Sequence, residues 1–228
     1  MVVVLFKINH VSTVIPINHP KIVMYLQGLA SKYDERVLNA MEAYGHKRGF
    51  PIIDRLCGAM IHLLTLSIGA KRVFELGSGF GYSAYWFSKA VGPQGKVWCT
   101  DGDPENQSLA ERYLKKAKLW NRIAFAVGDA VTNLKRTQGT FDIVYNDIDK
   151  HGYPAAWEAA KNRIRPGGLY ICDNTLWSGR VAEKKVEDDI YPGWTEAIRD
   201  HNRRIYADKN FDATLIPLRD GVLVARRR

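Results

Sequence analysis

The segment Phe141 to Pro154, FDIVYNDIDKHGYP, ends an apolar run in Asp147, Asp149 and Lys150, spaced D-x-D-K. Carboxylates so placed can hold a cation, and a lysine beside them can manage a proton. Phe141, Ile143, Val144 and Tyr145 suit a parallel strand covered on both faces. Ligands in open α/β sheets bind beyond the carboxyl ends of such strands. A solvated loop is the competing reading of these three polar residues taken alone.

A second set stands upstream. VFELGSGFGYS carries Gly77, Gly79 and Gly81 as G-x-G-x-G, with Glu75 before the run and Ser83 after it. Dinucleotide folds instead use G-x-G-x-x-G around a pyrophosphate. Glycine lets the backbone turn tightly and approach a ligand. Glu75 would repel a phosphate but suit an ammonium, and Ser83 with the first amides of the next helix could hold a carboxylate. A zwitterion fits this loop better than a pyrophosphate. Asp101 closes the following apolar segment, where an acid can pair with ribose hydroxyls. Asp129 and Ala130, in VGDA, end a third such segment and are placed to border an adenine. Each piece has a plain alternative, because glycine turns and strand-capping acids are common.

These residues need a frame to bring them together. Apolar spacing predicts one helix from about Pro20 to Ala43 and, after the GFP break at Gly49 to Pro51, a second through Leu66. Strands and helices then alternate: KRVFEL, a helix from GYSAYWFSKAV, GKVWCTD, a helix started by Pro104, IAFAVGD, a short helix near Val131 to Lys135, FDIVYND, a helix in AAWEAAKNRI, and GGLYICDN. WTEAIRDHNRRI reads as a last helix, and ATLIPL and GVLVARR face each other across RDG as an antiparallel pair. The expected fold is α/β: a mostly parallel, seven-stranded sheet covered by helices on both faces and closed by that hairpin. The expected division is a helical extension over 1–50 and one domain over 51–228.

With 228 residues, 46% of them hydrophobic, the chain can build a sizeable core. Cys57, Cys99 and Cys172 have no metal-type spacing and lie in apolar segments, which implies free thiols in a reducing compartment. MVVVLF is too short for a signal-peptide core, and the run around MIHLLTLSIGA is too short to span a bilayer. A soluble cytoplasmic protein is expected. A net charge of +9 permits an anionic partner such as RNA. The basic residues are scattered, however, which favours solvated helix faces and a charged tail.

Taken in order on successive strand ends, the glycine loop, Asp101 and VGDA point to S-adenosylmethionine, an amino acid joined to adenosine. The chain also resembles the cation-dependent O-methyltransferases, the family of catechol and caffeoyl-coenzyme A O-methyltransferases and small bacterial relatives. The likeness rests on VFELGSGFGYS, CTDGDPE, VGDA, NDIDKHGY, CDNTLWSGRV and LIPLRDGVLVARR, and runs from about Ile52 to the C-terminus. It implies a Rossmann-like class I methyltransferase fold and an S-adenosylmethionine site formed by Glu75, Gly77, Gly79, Gly81, Ser83, Asp101, Asp129, Ala130 and Asp147.

Asp147 follows one strand, and Asp173 and Asn174 follow another; adjacent strands lie roughly 5 Å apart, so the three can share one ion. Two carboxylates and an amide carbonyl form an all-oxygen set suited to Mg²⁺, Mn²⁺ or Ca²⁺. In the resembling family these positions are the metal ligands, and Lys150 matches the lysine regarded as general base. The resemblance implies methyl transfer to a vicinal-dihydroxy aromatic, catechol or caffeoyl in type. A hydroxyuridine in tRNA is the alternative acceptor, and a homodimer is the expected assembly. Ile148, His151, Trp177 and Arg180 are candidates for the acceptor pocket. Lys150 has a plainer alternative, a surface lysine paired with Asp149.

Overall fold

The computed structural model describes residues 18–33, 35–186, 189 and 191–228, so the MVVVLF segment lies outside the described residues. The helices are α1 (Pro20–Leu29), α2 (Arg36–Arg48), α3 (Arg55–Ser67), α4 (Tyr82–Val91), α5 (Pro104–Lys116), α6 (Ala130–Arg136), α7 (Tyr153–Ala160) and α8 (Trp194–Ala207). The strands are β1 (Arg72–Leu76), β2 (Lys96–Asp101), β3 (Ile123–Val127), β4 (Phe141–Asn146), β5 (Ile164–Cys172), β6 (Phe211–Ile216) and β7 (Val222–Arg227).

They form one sheet in the order β3-β2-β1-β4-β5-β7-β6. The first five strands are parallel, and β7 runs antiparallel to both β5 and β6. Strand order therefore reverses between β1 and β4. At such a switch point the loops leave in opposite directions and open a crevice. The glycine loop leaves β1 there, and Asp147 leaves β4.

Both faces of the central strands are covered. Val73, Ile143 and Tyr145 pack on one side with Leu38, Met41, Trp86 and Phe87. Phe74 and Val144 point the other way, toward Trp157, Ile198 and Ile205. Burying an apolar side chain of this size contributes about 1.5–3 kcal/mol, so the strand ends carrying the site stand on a stiff floor. Leu38 and Met41 belong to α2, so residues 36–48 share the core with the sheet. Cys57, Cys99 and Cys172 are buried free thiols, and no helix among the described residues is long and apolar enough to cross a membrane.

Two element boundaries differ from the sequence expectation. The helix expected over Pro20 to Ala43 ends at Leu29, gives way to a 3₁₀ turn (Ala30–Tyr33) and restarts at Arg36. Glu35 is extended there, with φ −119°, and its carboxylate accepts hydrogen bonds from Tyr85 and Lys89 on α4. That distant contact holds the break. The helix expected in AAWEAAKNRI begins earlier, at Tyr153, and ends at Ala160, while β5 starts at Ile164. Its pairing with β4 shifts register between Phe141 and Ile143, which lets Pro166–Gly168 be absorbed as a bulge.

Candidate functional site: a crevice with a glycine loop and a carboxylate pair

The switch point opens into a cavity of about 1040 Å³. One end is formed by the loop after β1. Gly77 has φ +81°, and a Cβ there would lie 2.5 Å from the Asp147 carbonyl oxygen. Only glycine permits this approach, which ties the loop directly to the end of β4. Asp101 secures the other side: its Oδ2 accepts from the Gly79 amide at 3.0 Å, and its Oδ1 accepts from Asp103 N and Asn106 Nδ2, both at 2.9 Å. The acid expected to meet a ribose thus also holds the loop, with lone-pair capacity remaining on Oδ2.

Gly77, Gly79, Ser83, Asp101, Asp129, Ala130 and Asp147 all line the cavity. Asp129 also caps α6, accepting from the Thr132 amide at 2.7 Å, and the Thr132 side chain, with that amide, holds its carboxylate below the usual range. Glu75 and Gly81 are not in the lining. Gly81 opens α4 with φ +88° and packs on Ala110. Glu75 is fully buried beneath the loop, where its Oε2 accepts from Ser78 Oγ at 2.9 Å and Cys99 Sγ at 3.4 Å. Its Oε1 is buried without a hydrogen-bond partner. Burial pushes the Glu75 carboxyl up to about 7 despite the nearby Ser83, Ser78 and Cys99 donors.

At the other end the strand register does the positioning. Asn146 pairs with Cys172, so the next residues, Asp147 and Asp173, emerge side by side. Their amides continue the ladder: Asp147 N donates to Leu76 O at 2.9 Å and Asp173 N to Asn146 O at 3.2 Å. Asn174 turns with φ +54° and donates Nδ2 to Asp220 Oδ2 at 3.3 Å, so the atom it can offer a cation is its carbonyl oxygen. All three residues line the cavity. Among the described residues no cluster of three His, Cys, Asp or Glu forms a metal site; this set instead combines two carboxylates with an amide.

Two cations of the chain face the pair. Lys150 Nζ lies 3.3 Å from Asp147 Oδ1 and 3.2 Å from Ile148 O, and the residue is only 9% exposed. Its partner is therefore Asp147 and not Asp149. Arg219 Nη1 meets Asp173 Oδ2 at 2.6 Å, and Asp173 Oδ1 is buried without a partner. Burial, with Asp173 adding to it, pushes Asp147 up to about 6 even though Lys150 and Arg219 pull it down. A buried carboxylate with an unpaired oxygen, beside a second carboxylate that ionises reluctantly, is a donor set suited to a divalent cation. The residues fit the ion.

Aromatic rings close the remaining side. Trp194 lies between Tyr191, at 4.1 Å between ring centroids, and Trp177, at 5.6 Å. Asp189 pins this wall, accepting from Trp177 Nε1 at 3.1 Å and from the Thr195 amide and hydroxyl at 2.9 Å each. Ile148, His151 and Trp177 line the cavity as expected, whereas Arg180 does not. Tyr191, Trp194 and Arg219 do, although the sequence reading did not assign them. The two aromatics sit near and inside an expected helix and carried no spacing signal; Arg219 lay inside what read as a turn.

The sheet order and the crevice are those of the class I methyltransferase fold. A family model described as O-methyltransferase matches residues 30–228. A caffeoyl-CoA O-methyltransferase from Stellaria longipes is 30% identical over 190 residues, covering 80% of this chain and 78% of that protein. A catechol O-methyltransferase from Niastella koreensis is 26% identical over 200 residues, covering 85% of this chain and 88% of that protein. The crystal structure of a methyltransferase from Geobacter sulfurreducens superposes with a TM-score of 0.79 at 27% identity, covering 93% of this chain and 100% of that one. The chain belongs to this family of S-adenosylmethionine-dependent O-methyltransferases.

Proposed function

We propose that this protein methylates one hydroxyl of a vicinal-dihydroxy aromatic small molecule, catechol or caffeoyl in type, with help from a divalent cation. The observation that carries the reading is the pairing of Asp147 with Asp173 by strand register, at the rim of the crevice that also holds the glycine loop. Gly77, Gly79, Ser83, Asp101, Asp129 and Ala130 would bind and orient the methyl donor, with Asp101 accepting from the ribose and Glu75 acting from beneath the loop. Asp147, Asp173 and the Asn174 carbonyl would hold Mg²⁺ or a similar hard cation. Such a cation acidifies a bound hydroxyl and orients neighbouring oxygens. Lys150, whose Nζ lies 3.3 Å from Asp147 Oδ1, would accept the hydroxyl proton from its neutral amine form and become the ammonium. Trp177, Tyr191 and Trp194 would stack on the acceptor ring and exclude water from the methyl path. Positioning of this kind supplies much of the acceleration in a displacement at carbon.

Exposed apolar residues on α1 (Ile22, Met24, Tyr25 and Leu29) and α3 (Leu63 and Leu66) support a homodimer, which sedimentation of the purified protein would check. The acceptor is tested by labelled methyl transfer to a catechol, a caffeoyl ester, a monophenol and hydroxyuridine tRNA, each with and without EDTA. Rapid, EDTA-sensitive labelling of the catechol or caffeoyl compound is expected. Full activity in EDTA would remove the cation from the reading. Labelling of tRNA with negligible catechol turnover would move the acceptor to RNA.

A further inference from the structure

Arg219 is in an unusual position for a long side chain. It sits in the β6–β7 turn with φ +52°, a left-handed conformation strained for any residue with a Cβ. Its guanidinium nevertheless reaches into the crevice and bridges two segments distant in sequence. Nη1 bonds Asp173 Oδ2 at 2.6 Å, and Nη2 donates to the Ile52 carbonyl at 3.1 Å. The turn itself is docked beneath the site: Thr175 N donates to Gly221 O at 3.0 Å and Leu176 N to Asp220 O at 2.9 Å. A strained backbone kept in place by such contacts aims this charge at one carboxylate oxygen.

That oxygen belongs to the proposed cation set. Asp173 is 1% exposed, and an isolated carboxylate buried so deeply would be costly without a compensating charge. Arg219 supplies that charge, and no change of pH near neutrality removes it, since a guanidinium stays protonated. The consequence for a divalent ion follows from Coulomb's law. A dication brought to Asp147 and Asp173 would stand beside a fixed positive charge in a partly buried recess, where screening is weaker than in bulk water. Such repulsion outweighs what one orienting hydrogen bond on Asp173 returns.

We propose that Arg219 is a built-in counter-ion of the cation site: it neutralises Asp173 in the cation-free protein and competes with a divalent cation for that carboxylate. The inference rests on the reading of Asp147, Asp173 and Asn174 as cation ligands. Cation binding then requires the guanidinium to yield Asp173 Oδ2 or to share the carboxylate at a cost. In either case the occupied site is weaker than its three oxygen donors alone would make it. Because the same guanidinium holds the Ile52 carbonyl, its displacement also loosens the 50–53 segment that borders the glycine loop.

The test is Mn²⁺ binding, read from the free-ion signal in electron paramagnetic resonance, without acceptor or turnover. Arg219→Gly removes the charge and suits φ +52°. Arg219→Gln removes the charge while keeping a donor for Ile52, and Arg219→Lys keeps the charge. Thermal melts confirm that each variant is folded, and either neutral variant suffices. The neutral variants should bind Mn²⁺ at least tenfold more tightly than the unaltered protein, with Arg219→Lys staying nearer to it. Adding Asp173→Asn to the neutral variant should erase the gain. If the unaltered protein binds Mn²⁺ and the neutral variants bind it equally or more weakly, the counter-ion role is overturned and the cation site stands. If neither the unaltered protein nor any neutral variant binds Mn²⁺, the cation site itself falls, and this proposal with it.

Discussion

The Lys150 ammonium lies 3.3 Å from Asp147 Oδ1 and 5.2 Å from the centroid of the Tyr153 ring, in a pocket that leaves its side chain 11% exposed. Its proposed role, in the neutral amine form, is to take the acceptor proton, with the donor loop left untouched. Lys150→Met should lower kcat on a catechol by ~10²–10⁴-fold, the usual contribution of a general base. Affinity for the methyl donor, measured by calorimetry, should stay within a few-fold. Partial recovery of kcat at high pH is expected, because the hydroxyl then ionises without help. An unchanged kcat at neutral pH would take Lys150 out of the reaction.

Gly77 couples the two halves of the site through sterics alone. A methyl group there meets the Asp147 carbonyl oxygen at 2.5 Å and its carbon at 2.9 Å, both backbone atoms, at φ +81°. Gly77→Ala should therefore cost about 1–3 kcal/mol of stability and weaken donor binding and divalent-ion binding together. Gly28→Ala is the contrast: nothing lies within 4 Å of the added carbon in α1, and removing a helical glycine should stabilise by roughly 0.5–1 kcal/mol. Urea unfolding of both variants checks the pair. Separate loss of only one ligand in Gly77→Ala would show that the loop and the β4 end move independently.

Much of this frame is legible locally. An unbroken apolar run such as Phe141–Tyr145 signals a strand covered on both faces, and glycine spacing marks where it turns. The Asp147–Asp173 pairing needed only the inference that two such strands are neighbours. What the residues could not reveal lies in contacts between distant segments. The break after Leu29 depends on Glu35 reaching α4, 50 and 54 positions away. Arg219 read as part of a hairpin turn because its partners, Asp173 and Ile52, are 46 and 167 positions away. The burial of Glu75 beneath the loop depends on which face of β1 it takes, and its place next to the glycines does not give that.

His201 supplies a pH-dependent stability term far from the reaction. It is fully buried between Tyr170, whose hydroxyl is 3.0 Å from Nε2, and Asn202, whose Oδ1 is 3.1 Å from Nδ1. Burial pushes its pKa down to about 4, partly offset by Asn202 and Asp200. The unfolded chain therefore binds a proton that the folded one refuses between about pH 6.5 and 4. Stability should be retained above this window and fall as pH decreases through it, by on the order of 3 kcal/mol in all. His201→Gln removes the titration, so its urea midpoint should depend less on pH across the same range. Parallel pH profiles for the two proteins would show that His201 does not titrate on unfolding.

The proposed function gives the aromatic wall the task of holding the acceptor ring. Trp194 is tilted 30° to Tyr191 and 44° to Trp177, so one ring links the other two. Its removal should leave the glycine loop and the carboxylate pair in place, because Asp189 still pins Trp177 and the Thr195 end of the wall. An aromatic contact contributes about 0.5–1.5 kcal/mol beyond area burial, which converts to roughly 2- to 13-fold in affinity. Trp194→Ala, which also removes the buried ring area, should raise KM for an aromatic acceptor by at least that factor while donor affinity and Mn²⁺ affinity remain unchanged. Trp194→Phe should recover most of the loss, since the ring and not the indole N–H does the stacking. A KM unaffected by Trp194→Ala would place the acceptor ring away from this wall, and equal losses in KM and donor affinity would mean that the wall supports the whole crevice instead of one ligand.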